Sequence, residues 1–200
     1  MSRRLLSSAI AFLTLLVVSS PVALADVLGA PPSLDSRHDH IRGSVRARIT
    51  LIEYGGLDEP FTLHLDETMH ALMKKYGRKV QWVFRHYPLD FQEHGMEAAV
   101  AAECATKVSG KRAFWKFVDA LQARTEDKFN YDAVVQQIGV NQSRFDECMA
   151  DNSYFEQIKK GVDQASAAGV TGVPATFLID NKTKRTEIIH LILHQGNQGR

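Results

Sequence analysis

The feature that most constrains this chain is the run from Arg48 to His86, where two β-type segments flank one helical segment and turn residues mark the junctions. Arg48 to Tyr54 (Arg-Ile-Thr-Leu-Ile-Glu-Tyr) is rich in β-branched and aromatic residues and stops at Gly55-Gly56, the pattern of a buried strand. Pro60 then opens a helix, because its missing N–H would be unpaired in a first turn anyway. Phe61, Leu65, Met69, Leu72, Met73 and Tyr76 recur at helical spacing and predict its apolar face, and Gly77 stops it. Lys79 to His86 alternates like a second strand, and Pro88 closes the unit. Loops this short favour a right-handed crossover between parallel strands.

Beyond Pro88 the pattern turns helical, at Met96 to Val108, Ala113 to Ala123, Tyr131 to Ile138, Ser143 to Ala150 and Tyr154 to Ala168. Ala175 to Asp180, a polar turn at Asn181 to Lys184, and Thr186 to Leu193 then read as an antiparallel hairpin. Strand-helix-strand, helices, then a hairpin is the order of an α/β thioredoxin fold with an inserted helical subdomain. The 200 residues fit one such domain.

The N-terminus reads as a secretory signal over residues 1–25. Arg3 and Arg4 supply the positive start, Leu5 to Val18 is mostly apolar, and Ala23-Leu24-Ala25 offers a small-x-small cleavage site before Asp26. The apolar stretch is shorter than the ~20 residues a bilayer-spanning helix needs, which favours cleavage over an anchor. Residues 26–44, with Pro31-Pro32 and no period, read as an extended lead-in of little chemistry, and 45–200 as the folded domain, its helical insertion at about 90–168. The expected location is the periplasm or the extracellular space. There the two cysteines, Cys104 and Cys148, can pair as a structural disulfide. Formal charge is +1, and without Arg3 and Arg4 the 24 basic residues fall to 22 against 23 acidic ones. No basic run is interleaved with aromatics, so neither nucleic acid nor, after signal cleavage, a membrane is the expected partner.

Several segments, in order, resemble the DsbA-like disulfide oxidoreductase family over nearly all of Asp39 to Asp180. They are Asp39-His40-Ile41-Arg42-Gly43, Ile49 to Tyr54, Arg85-His86-Tyr87-Pro88-Leu89, Ala101-Ala102-Glu103-Cys104-Ala105, Phe114-Trp115-Lys116-Phe117 and Gly169-Val170-Thr171-Gly172-Val173-Pro174. The resemblance implies a cis-proline loop at Val173 and Pro174 that pairs with extended peptides, and a buried acid, Glu53, beneath the redox site. It also implies that Cys104 and Cys148 match a second cysteine pair of some relatives. Closing that loop of about 45 residues would stabilise by roughly 3–4 kcal/mol in the chain-entropy model. The family pattern weakens after Asp180, where relatives continue into a final helix, so the C-terminal part reads as shortened.

The sequence departs from the family at its centre. Where relatives carry Cys-Pro-x-Cys, this chain has Glu59-Pro60-Phe61-Thr62. Disulfide exchange needs one thiolate to attack a sulfur and a second thiol to resolve the mixed disulfide. A carboxylate is a poor nucleophile towards disulfides, and an alcohol without an adjacent base is un-ionised near neutral pH. A helix N-terminus favours an anion by ~0.3–1 kcal/mol when exposed, so Glu59 reads as an acid of ordinary helix-start type, the alternative being a permanent mimic of the thiolate charge. The expected function is thus a non-catalytic binding module for extended peptides or unfolded proteins, without cofactor. The alternative is a divergent oxidoreductase in disulfide-bond formation, acting through Cys104 and Cys148.

The histidines suggest a metal hypothesis that the sequence does not sustain. His38 and His40 are close, and Glu59 could be joined by His64 or Asp58. However, His64 and His70 fall on different helix faces and no recognised ligand motif occurs. The expectation is solvated surface histidines and no metal site. Ser, His and Asp lack any nucleophile-elbow context, so hydrolase chemistry has no support.

Overall fold

A computed structural model describes residues 33–35, 38–125 and 127–189 of the chain. The signal segment, residues 26–32 and 36–37 of the lead-in and the expected strand residues 190–193 lie outside the described residues.

The described residues form five strands and six α-helices. The strands are β1 (His40–Gly43), β2 (Ile49–Gly55), β3 (Val80–His86), β4 (Ala175–Asp180) and β5 (Thr186–Ile189). The helices are α1 (Pro60–Tyr76), α2 (Gly95–Ser109), α3 (Lys111–Gln122), α4 (Tyr131–Ile138), α5 (Gln142–Met149) and α6 (Ser153–Ala167). The sheet order is β1-β3-β2-β4-β5. The β2-α1-β3 unit is the expected parallel crossover, and β4 returns antiparallel to β2 before the hairpin to β5. Among the described residues no helix is long and apolar enough to cross a membrane.

Strand alternation sends side chains to two cores. On one face Leu51, Trp82 and Phe84 pack under α1 and the helices α2 to α5. On the other, Ile52, Tyr54, Val83 and Phe177 pack with Ala165 of α6 and with Val170. Within the helical layer Cys104 of α2 and Cys148 of α5 are joined in a disulfide, so the expected pairing is present and both sulfurs are buried.

Two sequence expectations are corrected. Residues 40–43, read as lead-in, form an edge strand antiparallel to β3, with His40 opposite Phe84 and Gly43 opposite Gln81. The pairing is long-range and leaves no local periodicity. The buried face of α1 is also rotated from the expected stripe: Phe61 and Tyr76 are exposed, while Thr62, Leu65, Asp66 and Met69 are buried. The reason lies in Gly55, where a Cβ would fall 2.6 Å from Thr62 Cγ2 and 3.0 Å from Phe84 Cε2. Without a side chain there, β2 admits Thr62 against the sheet, and Asp66 follows one turn later on the same face.

Candidate functional site

The C-terminal end of β2 brings together most of the residues singled out from the sequence. Tyr54 lies opposite Ala175, so the residue before β4, Pro174, sits at the same sheet end as the loop into α1. The Val173–Pro174 peptide is cis. Across from it α1 begins at Pro60, capped by Glu59 in extended conformation. The Glu59 carboxylate accepts the N–H of Phe61 at 3.0 Å and that of Thr62 at 2.5 Å. Those two N–H groups are among the four that a helix start leaves unpaired. The anion-holding end of α1 is therefore filled by the chain's own carboxylate, which is itself buried. Thr62 is buried too, and its hydroxyl has no hydrogen-bond partner among the described residues.

Beneath this end lies a pair of acids. Glu53 of β2 is 0 % exposed and Asp66 of α1 is 1 % exposed, and none of their four carboxyl oxygens has a hydrogen-bond partner among the described residues. Burial raises the Glu53 pKa well above the ordinary carboxyl value, and the charge of Asp66 raises it further. The Trp82 indole pulls the other way, although its N–H does not reach hydrogen-bond geometry. Burial pushes Asp66 up to about 8, opposed by Arg42 and Lys128 and reinforced by Asp119. Both acids are thus held in their neutral form at this depth. Glu53 was legible as a buried acid; Asp66 was not.

A second constellation was missed by sequence reasoning, and it draws on three of the motifs that carried the family resemblance. His40 starts β1, His86 ends β3 and Glu103 stands in the middle of α2. His40 Nε2 lies 2.7 Å from Glu103 Oε1, and His86 Nε2 lies 3.3 Å from the same oxygen. The His40 ring is stacked on Phe114 at 3.5 Å between centroids, and Phe84 and Phe114 meet His86 edge-on. Burial lowers the His86 pKa, with Glu103 acting in the opposite direction. Glu103 is held well below the usual carboxylate range: burial alone would raise it, but the hydrogen bond with His40 and the close approach and charges of both imidazoles outweigh that.

The expectation of surface histidines is therefore wrong for His40, whose side chain is 7 % exposed, and His86, at the end of the second strand, is equally buried. It holds for His38 and His64, which are exposed beside Asp35 and Glu67 respectively. On the opposite face of the same two strands Arg85 forms a two-point ion pair with Asp39, at 2.8 and 3.0 Å, and also donates to the Tyr54 hydroxyl. The two segments Asp39–Gly43 and Arg85–Leu89 are thus bound to each other through both faces of the sheet.

A thioredoxin sheet, a helix opening beside a cis-proline loop and a helical insertion between β3 and β4 define a DsbA-like thioredoxin-superfamily protein. A family model described as thioredoxin matches residues 35–188, and the chain belongs to that family. Among solved structures the chain is similar to *Pseudomonas aeruginosa* DsbA2, with a TM-score of 0.65 and 27% identity over 79% of this chain and 88% of that one. The oxidised form of BdbD from *Bacillus subtilis* matches in fold, with a TM-score of 0.65 and 16% identity over 81% of this chain and 88% of that one. A curated relative, the Na(+)/H(+) antiporter NhaA 3 of *Salinispora tropica*, is 30% identical over 148 residues, 72% of this chain but 22% of that protein. The chain thus spans less than a quarter of that relative's length.

Proposed function

We propose that this protein is an exported, non-catalytic thioredoxin-fold module that holds extended peptide or unfolded-protein segments where the start of α1 meets the Val173–Pro174 loop. One observation carries the reading: the helix end that would present a reactive thiolate is capped by the Glu59 carboxylate, and the chain's only two cysteines are bonded to each other. Electron-pair exchange between sulfurs has no nucleophile at that end. The scaffold for peptide pairing is nonetheless retained. Thr171 and Gly172 of the loop are exposed, and Phe61 stands 61% exposed at the helix start as an apolar contact. Export rests on the signal-like residues 1–25 and agrees with a disulfide that needs an oxidising compartment.

The competing reading, a divergent oxidoreductase working through Cys104 and Cys148, requires at least one accessible sulfur of lowered pKa. Those residues are 0% and 3% exposed in an apolar helical layer, which disfavours it. Titrating the isotope-labelled protein with an unstructured apolar peptide tests the proposal. Saturable shifts of backbone amides at Phe61, Thr171, Val173 and Ala175 are expected. An absence of saturable binding, or shifts confined to other surfaces, would refute it.

A further inference from the structure

We propose that His40, His86 and Glu103 form a binding site for a divalent transition-metal ion, with zinc the ion to test first. The three side chains each offer one ligand atom, and these atoms all lie within 4.8 Å of one another. Ligands ~2.0–2.1 Å from a tetrahedral zinc ion stand about 3.3–3.5 Å apart. The His86–Glu103 separation of 3.3 Å already has that value and the His40–Glu103 separation of 2.7 Å is shorter. An ion would therefore need side-chain shifts of about an ångström or less, from residues whose backbones are fixed by two strands and a helix.

The state of His86 points to a ligand rather than to a finished hydrogen-bond network. Its side chain is 7% exposed, yet neither ring nitrogen makes a hydrogen bond among the described residues, because the approach to Glu103 lacks the required geometry. A buried imidazole with no hydrogen bond is costly unless something else occupies its lone pair. The donor set selects the kind of ion. Two imidazoles and one carboxylate suit zinc and its first-row neighbours, whereas calcium and magnesium call for more oxygen ligands than one glutamate supplies.

Access is provided as well. A cleft of about 470 Å³ is lined by the three residues together with Arg85, Gln157 and Gln164. Three protein ligands and one open position is the arrangement of zinc sites that bind an exchangeable water or a small anion. All three ligands come from β1, β3 and α2, so the inference stands apart from the fate of the α1 helix end.

The full chain, stripped with chelator and dialysed, is titrated with zinc chloride by calorimetry and with cobalt(II) by visible absorption. One equivalent of each ion is expected to bind, with cobalt bands of four- or five-coordinate intensity and a rise in melting temperature on zinc addition. His86→Asn and Glu103→Gln should each weaken zinc binding roughly tenfold or more. His38→Ala, which alters an exposed histidine, should leave it unchanged. The proposal is overturned if the native protein takes up neither ion saturably. It is equally overturned if binding survives both His86→Asn and Glu103→Gln, or is lost with His38→Ala.

Discussion

Replacing Asp66 by Asn should make the protein more stable at neutral pH and nearly unchanged in mild acid. In the unfolded chain Asp66 releases its proton near 3.8, whereas in the fold burial holds it up to about 8. Between those values folding takes up a proton, so the contribution of this group to stability is whole in acid and is lost as pH rises, by up to about 1.4 kcal/mol per unit. At about pH 7 the accumulated cost is on the order of 4 kcal/mol if Asp66 alone stays neutral. Because Glu53 shares the same apolar pocket and is raised as well, a gain of roughly 2–4 kcal/mol is a fair range for the variant. Asn keeps the shape and has no proton to lose. Urea unfolding of native and Asp66→Asn proteins at several pH values measures the difference directly. It should widen steadily between about pH 4 and pH 7. A difference independent of pH, or a variant that loses ground as pH rises, would refute the reasoning, since either would mean that Asp66 is ionised in the fold.

Three further outcomes follow from single contacts. Replacing both Cys104 and Cys148 by Ser opens a loop with a sequence separation of 44. It should lower stability by about 3–4 kcal/mol in chemical denaturation, while the far-ultraviolet dichroism stays that of the native fold. Glu59→Ala removes the acceptor for the Phe61 and Thr62 N–H groups and should lower stability by about 0.5–2 kcal/mol by the same measurement. Gly55→Ala drives a methyl group into Thr62 and Phe84, so a loss of about 1–3 kcal/mol is expected; combining it with Thr62→Ser, which removes the clashing methyl, should recover part of that loss.

Much of the fold was readable because its signals are local. The β-branched run before Gly55, Pro60 at a helix start and Gly77 at its end put β2, α1 and β3 within a residue or two of where they stand. The residues at the end of β2 were named through the family resemblance and not through that punctuation. What escaped depended on pairing between distant segments. His86 shares strand parity with Trp82 and Phe84, so its burial could have been read from alternation. Glu103 sits among buried alanines at 98, 99, 101, 102 and 105, where an acid must find a partner. The partner itself was invisible, because His40 reaches Glu103 only once β1 has joined the sheet edge by pairing with β3, about 40 residues away. Asp66 escaped for a different reason: the turn of α1 about its own axis is set by the missing side chain at Gly55, which no helical periodicity records.

The account rests on the absence of a working thiol at the start of α1, and insulin reduction by dithiothreitol reads that directly. The native protein should not accelerate precipitation over reductant alone, and the Glu59→Cys/Thr62→Cys variant should. Acceleration by the native protein that disappears with Cys104→Ser would contradict the account and return the buried disulfide to the centre of the chemistry.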